Sequence, residues 1–197
     1  MSDPVRPKDK PNGRRLGWRI EGTTYPFRNQ FLTLRQDRLT WPDGQSGSYS
    51  YVEIKPVVLI VPVTTTRDVV LIRQYRYTID DWVWEIPAGG SHDFEGVDLA
   101  ELARRELKEE VGGEAGTLTY VGMFHPAIGK FNADFHLYLA TGVTLGQATP
   151  EPGEMIQIHS FSIDEALEMA RDGTITSSSS AYALLRCEPR LRELEGR

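Results

Sequence analysis

A chain of 197 residues, 40% of them hydrophobic and 25% charged, has the balance of a soluble globular protein and the length for one ordinary domain with a small N-terminal appendage. Its formal charge of -6 leaves no basic field for a nucleic-acid backbone or an anionic membrane, and its single cysteine, Cys187, excludes an intrachain disulfide framework. No run resembles a signal peptide or a membrane span, so a cytoplasmic location is expected; an acidic protein acting on a phosphate would need a divalent cation to offset like charge.

Residues 1–16, rich in Pro, Lys, Arg and Asp, read as a solvated, disordered leader. From about residue 18 to residue 86, turn signals such as Pro42-Asp43-Gly44 separate short runs rich in β-branched and aromatic residues, the pattern of successive strands. The clearest predicted strands are Tyr49 to Glu53, Val57 to Val63 and Val69 to Tyr77, with Thr64 to Asp68 turning the last two into a hairpin. Length and β-branching favour a central strand over buried helix for Val57 to Val63. A short strand, Trp82 to Ile86, ends at Pro87.

The period then changes. Leu99, Leu102, Ala103, Leu107 and Val111 recur at helical spacing, with Asp98 as N-cap, Glu101 placed for a capping box, and Gly112-Gly113 as the stop. Strands are predicted at Thr117 to Phe124, Phe135 to Ala140 and Met155 to Phe161, followed by a helix from Ile163 to Arg171. The serine run Ser177 to Ser180 caps and opens a last helix over roughly Ser179 to Arg186, in which Cys187 reads as a buried thiol. Mixed strands around one central helix, with further helices near the C-terminus, imply an α+β fold built as an α/β/α sandwich.

The chemistry concentrates in Arg105-Glu106-Leu107-Lys108-Glu109-Glu110-Val111-Gly112. Glu106 and Glu110 stand one helical turn apart on one face, about 5–6 Å between Cβ atoms, where like charges repel unless a cation lies between them. Such oxygen donors suit magnesium or manganese. A Glu-rich helix is ordinarily a solvated face, but here Leu107 and Val111 define the buried direction and Glu106 lies beside Leu102 and Ala103. Arg105 is placed to hold a neighbouring glutamate by a bidentate pair.

The segment from Gly89 to Gly113 resembles the Nudix box, G-x5-E-x7-R-E-U-x-E-E-x-G-U with U a bulky apolar residue, and matches every fixed position from Arg105 to Gly112. The front half departs from it. Val97 stands where the box has its first glutamate, with Glu95 and Asp98 on either side; Gly89 and Gly90 lie slightly too far upstream, so the loop is longer and Glu95 or Asp98 is left to substitute. Gly113 replaces the terminal apolar residue. The resemblance implies that Glu106 and Glu110 are metal ligands, with the Ala88 carbonyl a further candidate, and that Arg105 orients the glutamates. Glu109 is either an additional ligand with a part in catalysis or a surface carboxylate.

Beyond the box, Arg73-Gln74-Tyr75-Arg76 and Trp84-Glu85-Ile86-Pro87-Ala88-Gly89 resemble elements of the ADP-ribose and nucleotide-sugar pyrophosphatase branch. Arg73 and Arg76 are substrate-binding candidates that must face opposite ways on a strand, so one serves packing or a dimer interface; Arg76 is assigned to phosphate or ribose, and Glu85 to a ribose or base. In Glu151-Pro152-Gly153-Glu154, Glu154 matches a metal-binding position of the branch and Glu151 falls near its catalytic base, against the alternative of an acidic surface loop. Where the branch often carries an S-P-G turn, this chain has His125-Pro126-Ala127-Ile128-Gly129-Lys130 and then Asp134, which leaves the sugar open; a lone histidine such as His125 is more often structural.

The resemblance implies a Nudix fold preceded by an N-terminal antiparallel β region: a leader over 1–16, a β region serving dimerisation over 17–55, and a hydrolase domain over 56–190. It also implies a homodimer that uses magnesium, with manganese as an alternative, to hydrolyse the pyrophosphate of ADP-ribose or a related nucleoside diphosphate sugar. The alternatives are another nucleotide sugar, such as UDP-glucose or GDP-mannose, and a module that binds ADP-ribose without cleaving it. No DNA-binding appendage of the sort a regulator needs is evident in the sequence.

Overall fold

The computed structural model describes residues 10–91 and 98–196, which form two units, one of residues 10–55 with 127–133 and the other of 56–91, 98–126 and 134–196. The first contains a helical turn, α1 (Pro11–Arg15), and an antiparallel sheet ordered β1 (Arg19–Arg28), β2 (Thr33–Thr40), β3 (Ser46–Glu53). The first nine residues of the expected leader lie outside the described residues. Where the rest of it was expected to be without structure, Pro11 opens α1 and the Trp18 N–H donates to the Gly13 carbonyl at 2.9 Å, closing the turn against the sheet.

Alternation along β2 turns Arg35, Asp37 and Leu39 to the buried face of this sheet. Two of those three are charged, and they satisfy each other: Arg35 Nε donates to Asp37 Oδ1 at 2.9 Å, and the Thr23 hydroxyl donates to the same carboxylate at 2.6 Å. Gly44, with φ 84°, makes the turn expected at Pro42-Asp43-Gly44.

The second unit is built on β4 (Val57–Thr64), β5 (Val69–Arg76), β6 (Asp81–Glu85), β7 (Ala88–Gly90), α2 (Leu99–Val111), β8 (Gly113–Glu114), β9 (Thr117–Phe124), β10 (Phe135–Leu145), β11 (Ile156–Phe161), α3 (Ile163–Arg171) and α4 (Ser178–Glu195). Its 8-stranded sheet runs β11-β5-β4-β10-β8, with β6 on β5, β7 on β4 and β9 on β10. The β4–β10 pair is parallel and the remaining pairs are antiparallel, so the sheet is mixed.

Strand alternation divides the core in two. Leu59, Val61, Val69, Leu71, Leu137 and Leu139 face α3 and α4, whereas Val58, Ile60, Val70, Ile72, Tyr138 and Ala140 face α2. Helices therefore cover both faces, which is why β4 reads as an unbroken apolar run, and the layers are α/β/α.

Asp98 caps α2 by accepting from the Ala100 N–H at 2.7 Å, and Gly112 ends it at φ 65°. A Cβ on Gly112 would come within 2.4 Å of the Gly146 carbonyl oxygen, so close backbone approach as well as conformation requires glycine. The complete capping box is in α3, between Ser162 and Glu165.

Two elements outrun their predicted ends. β10 continues to Leu145 because an irregularity after Ala140, with Gly142 at φ 64°, carries Thr144 and Leu145 onto β8. α4 runs through Pro189 to Glu195, as buried Cys187 and Leu191 anchor the turns on either side of it. Burial pushes the Cys187 thiol up to about 12, as befits an inert core cysteine.

Candidate active site

Leu102, Ala103, Leu107 and Val111 form the stripe by which α2 sits on the sheet. Glu106 and Glu110 flank that stripe and are drawn in with it, so the Glu110 residue is only 3% exposed. The strand that meets them is β7, which pairs with β4 through Ala88↔Leu59 and Gly89↔Val58. The Ala88 N–H donates to Glu110 Oε2 at 3.0 Å, so the peptide proposed from sequence as a ligand lies beside one of the glutamates. A Cβ on Gly89 would stand 2.1 Å from the Glu106 carboxyl carbon; glycine here makes room for the carboxylate.

Burial drives the electrostatics. It raises Glu106 to about 7, opposed by the hydrogen bond from Arg105 and reinforced by the charges of Glu109 and Glu154. Burial likewise holds Glu110 well above the usual carboxylate range, with the Ala88 N–H pulling the other way and Glu154 and Glu106 adding repulsion.

Arg105 Nη2 lies 3.4 Å from Glu106 Oε1 and its Nε 3.8 Å from Glu109 Oε2, so one guanidinium spans both carboxylates. The loop carrying Glu151 and Glu154 is closed on itself: the Glu154 carboxylate accepts from the Glu151 N–H at 2.9 Å, while the Glu154 N–H donates to the Glu151 carbonyl at 3.0 Å. Glu154 is still close enough to act electrostatically on Glu106 and Glu110, whereas Glu151 is exposed.

The two arginines of β5 separate. Arg76 shares the α2 face with Val70 and Ile72, and its Nε donates to Glu85 Oε2 at 2.7 Å; Glu85 lies opposite Ile72 on that same face. Arg73 lies on the other face, its guanidinium 5.8 Å from the centre of the Trp84 ring, and does not join the carboxylates. His125 is drawn to Asp134, Nδ1 to Oδ1 3.3 Å. Asp98 is engaged as a helix cap, and Glu95 and Val97 lie outside the described residues.

Two residues on the α2 face were not singled out from sequence. Gln74 lies between Ile72 and Arg76 and is buried, its Oε1 without a hydrogen-bond partner among the described residues. His136 is paired in register with Val58, which is itself paired with Gly89, so it stands two strands across from the glycine beneath Glu106, about 10 Å at ordinary strand spacing. It shares a 3.3 Å hydrogen bond with the Tyr120 hydroxyl. Parity with Arg76 would have exposed Gln74; His136 needed the parallel register.

Among the described residues, no three Asp, Glu, His or Cys side chains converge as a ready metal cage. Glu106 and Glu110 nevertheless suit a hard divalent cation: one half-buried and one buried, both carboxylates are pushed toward the neutral form, with Glu109 and Glu154 adding repulsion and Arg105 and Arg76 offsetting it.

Comparison with known proteins agrees with this arrangement. The family model described as the NUDIX domain matches residues 53–180. The chain is 28% identical to a CMP-5'-(N-acetyl-N-hydroxy-3-aminopropyl)phosphonate hydrolase of Streptomyces rubellomurinus, over 86% of this chain and 82% of the relative. It is 32% identical to an ADP-ribose pyrophosphatase of Mycobacterium tuberculosis, over 78% of this chain and 75% of the relative. A solved structure described as an ADP compounds hydrolase shares the fold, with TM-score 0.78 and 21% identity over 90% of this chain and 95% of that one. Because the domain match takes in the whole of β7, α2 and the strands that carry them, the chain belongs to the NUDIX domain family.

Proposed function

We propose that the protein is a metal-dependent hydrolase of the pyrophosphate bond of ADP-ribose or a related nucleoside diphosphate sugar, releasing a nucleoside monophosphate and a sugar phosphate. The observation that carries this reading is the pair of half-buried Glu106 and buried Glu110 set against Ala88 and Gly89, together with relatives whose names specify hydrolysis of nucleotide-linked substrates.

Glu106, Glu110 and the Ala88 carbonyl, joined by Glu154, would hold magnesium, or manganese in its place. When bound, the ion would offset negative charge on the diphosphate and make water easier to deprotonate. Arg105 keeps Glu106 and Glu109 in position. Glu154, Glu151 or Glu109 takes the proton of the attacking water; Glu154 is the best placed by its electrostatic reach to both Glu106 and Glu110. Arg76, poised by Glu85, meets substrate phosphate or ribose, and Arg73 is assigned to packing on Trp84.

We further infer a homodimer formed through residues 17–55, supported by the exposure of Phe27 and Phe31 beside the β1–β2 turn, with residues 56–190 as the hydrolase domain. We also assign a cytoplasmic setting, a reading supported by the single cysteine; no helix among the described residues is long and apolar enough to cross a membrane.

The test is product analysis with magnesium on ADP-ribose, UDP-glucose, GDP-mannose, NADH and a nucleoside triphosphate, each with an EDTA control. AMP released from ADP-ribose and suppressed by chelator is expected. Preference for another sugar would change the substrate and keep the mechanism, and absence of turnover on all of them would reduce the protein to a binding module.

A further inference from the structure

The last turn of a helix leaves carbonyl oxygens without partners inside it. At the end of α2, two such groups are met by the segment that follows β10: the Thr149 N–H donates to the Glu109 carbonyl at 2.8 Å, and the Gly146 N–H donates to the Gly112 carbonyl at 2.8 Å. The two backbones pass so closely that a Cβ on Gly112 would lie 2.4 Å from the Gly146 carbonyl oxygen.

The far end of the same segment is pinned to β5. The Tyr75 N–H donates to the Met155 carbonyl at 3.2 Å, which carries the β11–β5 ladder one residue beyond the Ile156↔Gln74 pair. One step further along, that antiparallel register sets position 154 opposite Arg76. One pin therefore neighbours Glu110 and the other neighbours Arg76.

Between the pins the chain has little freedom. In Thr149-Pro150-Glu151-Pro152-Gly153-Glu154 each proline fixes its own φ and biases the residue before it toward extended backbone. Gly153, at φ 104°, then admits the turn in which the Glu154 N–H meets the Glu151 carbonyl and the Glu154 carboxylate accepts from the Glu151 N–H. Residues 149–153 are all exposed, so apolar burial does not fix this stretch. Its end contacts and its prolines do, and they leave Glu154 half-buried and within electrostatic reach of Glu106 and Glu110.

We propose that residues 146–155 form a strut that holds Glu154 toward Glu106 and Glu110, with the Thr149 N–H on the Glu109 carbonyl as its positioning contact. This role rests on the assignment of those three glutamates to a divalent cation, and adds the contact that keeps the third in place.

Magnesium titration by calorimetry on the full chain, without substrate, compares the wild type with Thr149→Pro and Thr149→Ala. Thr149 precedes Pro150, where the extended backbone tolerates proline, so Thr149→Pro chiefly removes the N–H that Thr149→Ala keeps. The Kd should rise about tenfold in Thr149→Pro and stay within about twofold of wild type in Thr149→Ala. In a Glu154→Gln background, itself weakened, Thr149→Pro should add no more than about twofold, because both changes act through one carboxylate. Should Thr149→Pro fail to fold, Gly112→Ala displaces the strut from its other side and should show the same non-additivity. Wild-type affinity in Thr149→Pro, or losses that simply add in the double variant, would overturn the proposal. A wild type that binds magnesium yet cleaves no nucleotide would overturn the reaction while the titrations still decide the strut; one that binds none would overturn both.

Discussion

The Glu106 carboxyl group occupies the space that a side chain at position 89 would need: a Cβ built on Gly89 lies 2.1 Å from its carboxyl carbon and 2.2 Å from Oε2. Gly89→Ala should therefore push Glu106 out of its seat while leaving β7 paired to β4. A displacement of about 1 Å in a positioned group costs on the order of 100-fold in rate, so kcat should fall by about that factor with little change in Tm. A variant as active as wild type would mean that the position of Glu106 does not matter to the reaction.

Glu106→Gln probes the same carboxylate through pH. Its folded value, about 7, lies above the unfolded carboxylate value, so the native state retains a proton that the unfolded chain releases. Stability from this group is fully present below the unfolded value and is lost as pH rises through about 7; Glu110 acts in the same direction. In EDTA, Tm should decline from pH 4.5 to 7.5 more steeply for the wild type than for Glu106→Gln. Each kcal/mol is worth about 2–4 °C in a chain of this size. Magnesium added at pH 7.5 should restore the wild type by binding the ionised pair. Identical slopes for the two proteins would remove this carboxylate as the cause.

Arg105 bridges Glu106 and Glu109. Arg105→Ala withdraws the one positive neighbour that lowers the Glu106 proton affinity, so protons should compete better with metal. The magnesium concentration for half-maximal rate should rise about tenfold or more, within the range for groups that hold metal ligands in place, and should fall back toward wild type as pH is raised. A metal requirement that stays put would make Arg105 a purely structural residue.

The two arginines of β5 give a paired test. Arg76→Ala should raise KM for ADP-ribose by about tenfold or more, the value of one charged hydrogen bond to substrate, whereas Arg73→Ala should change kcat/KM by no more than about twofold, since its guanidinium faces Trp84. Steady-state kinetics of both variants is the measurement, and the reverse ranking would exchange their assignments.

Local spacing made much of this protein legible. The three- and four-residue recurrence from Leu99 to Val111 placed α2, Asp98 and Gly112 marked its ends, and the carboxylates one turn apart were visible because a helix brings such residues onto one face whatever surrounds it. The hydrophobic run of β4 and the hairpin into β5 were equally local. Period two also required Arg73 and Arg76 to point apart.

Other features depended on partners distant in the chain. Only the β5–β6 register shows that Arg76 and Glu85 share the α2 face. Only the parallel pairing of β10 with β4 sets His136 in line with Gly89. α4 passed its proline because Leu191 found a buried site, where local propensity would have ended it. The sequence by itself thus determined which carboxylates share one helix face and on which helix they stand, because backbone periodicity is local. Tertiary structure decided which face those groups meet, how deeply they are desolvated and which neighbours tune their charge, because burial and register arise only when distant segments pack.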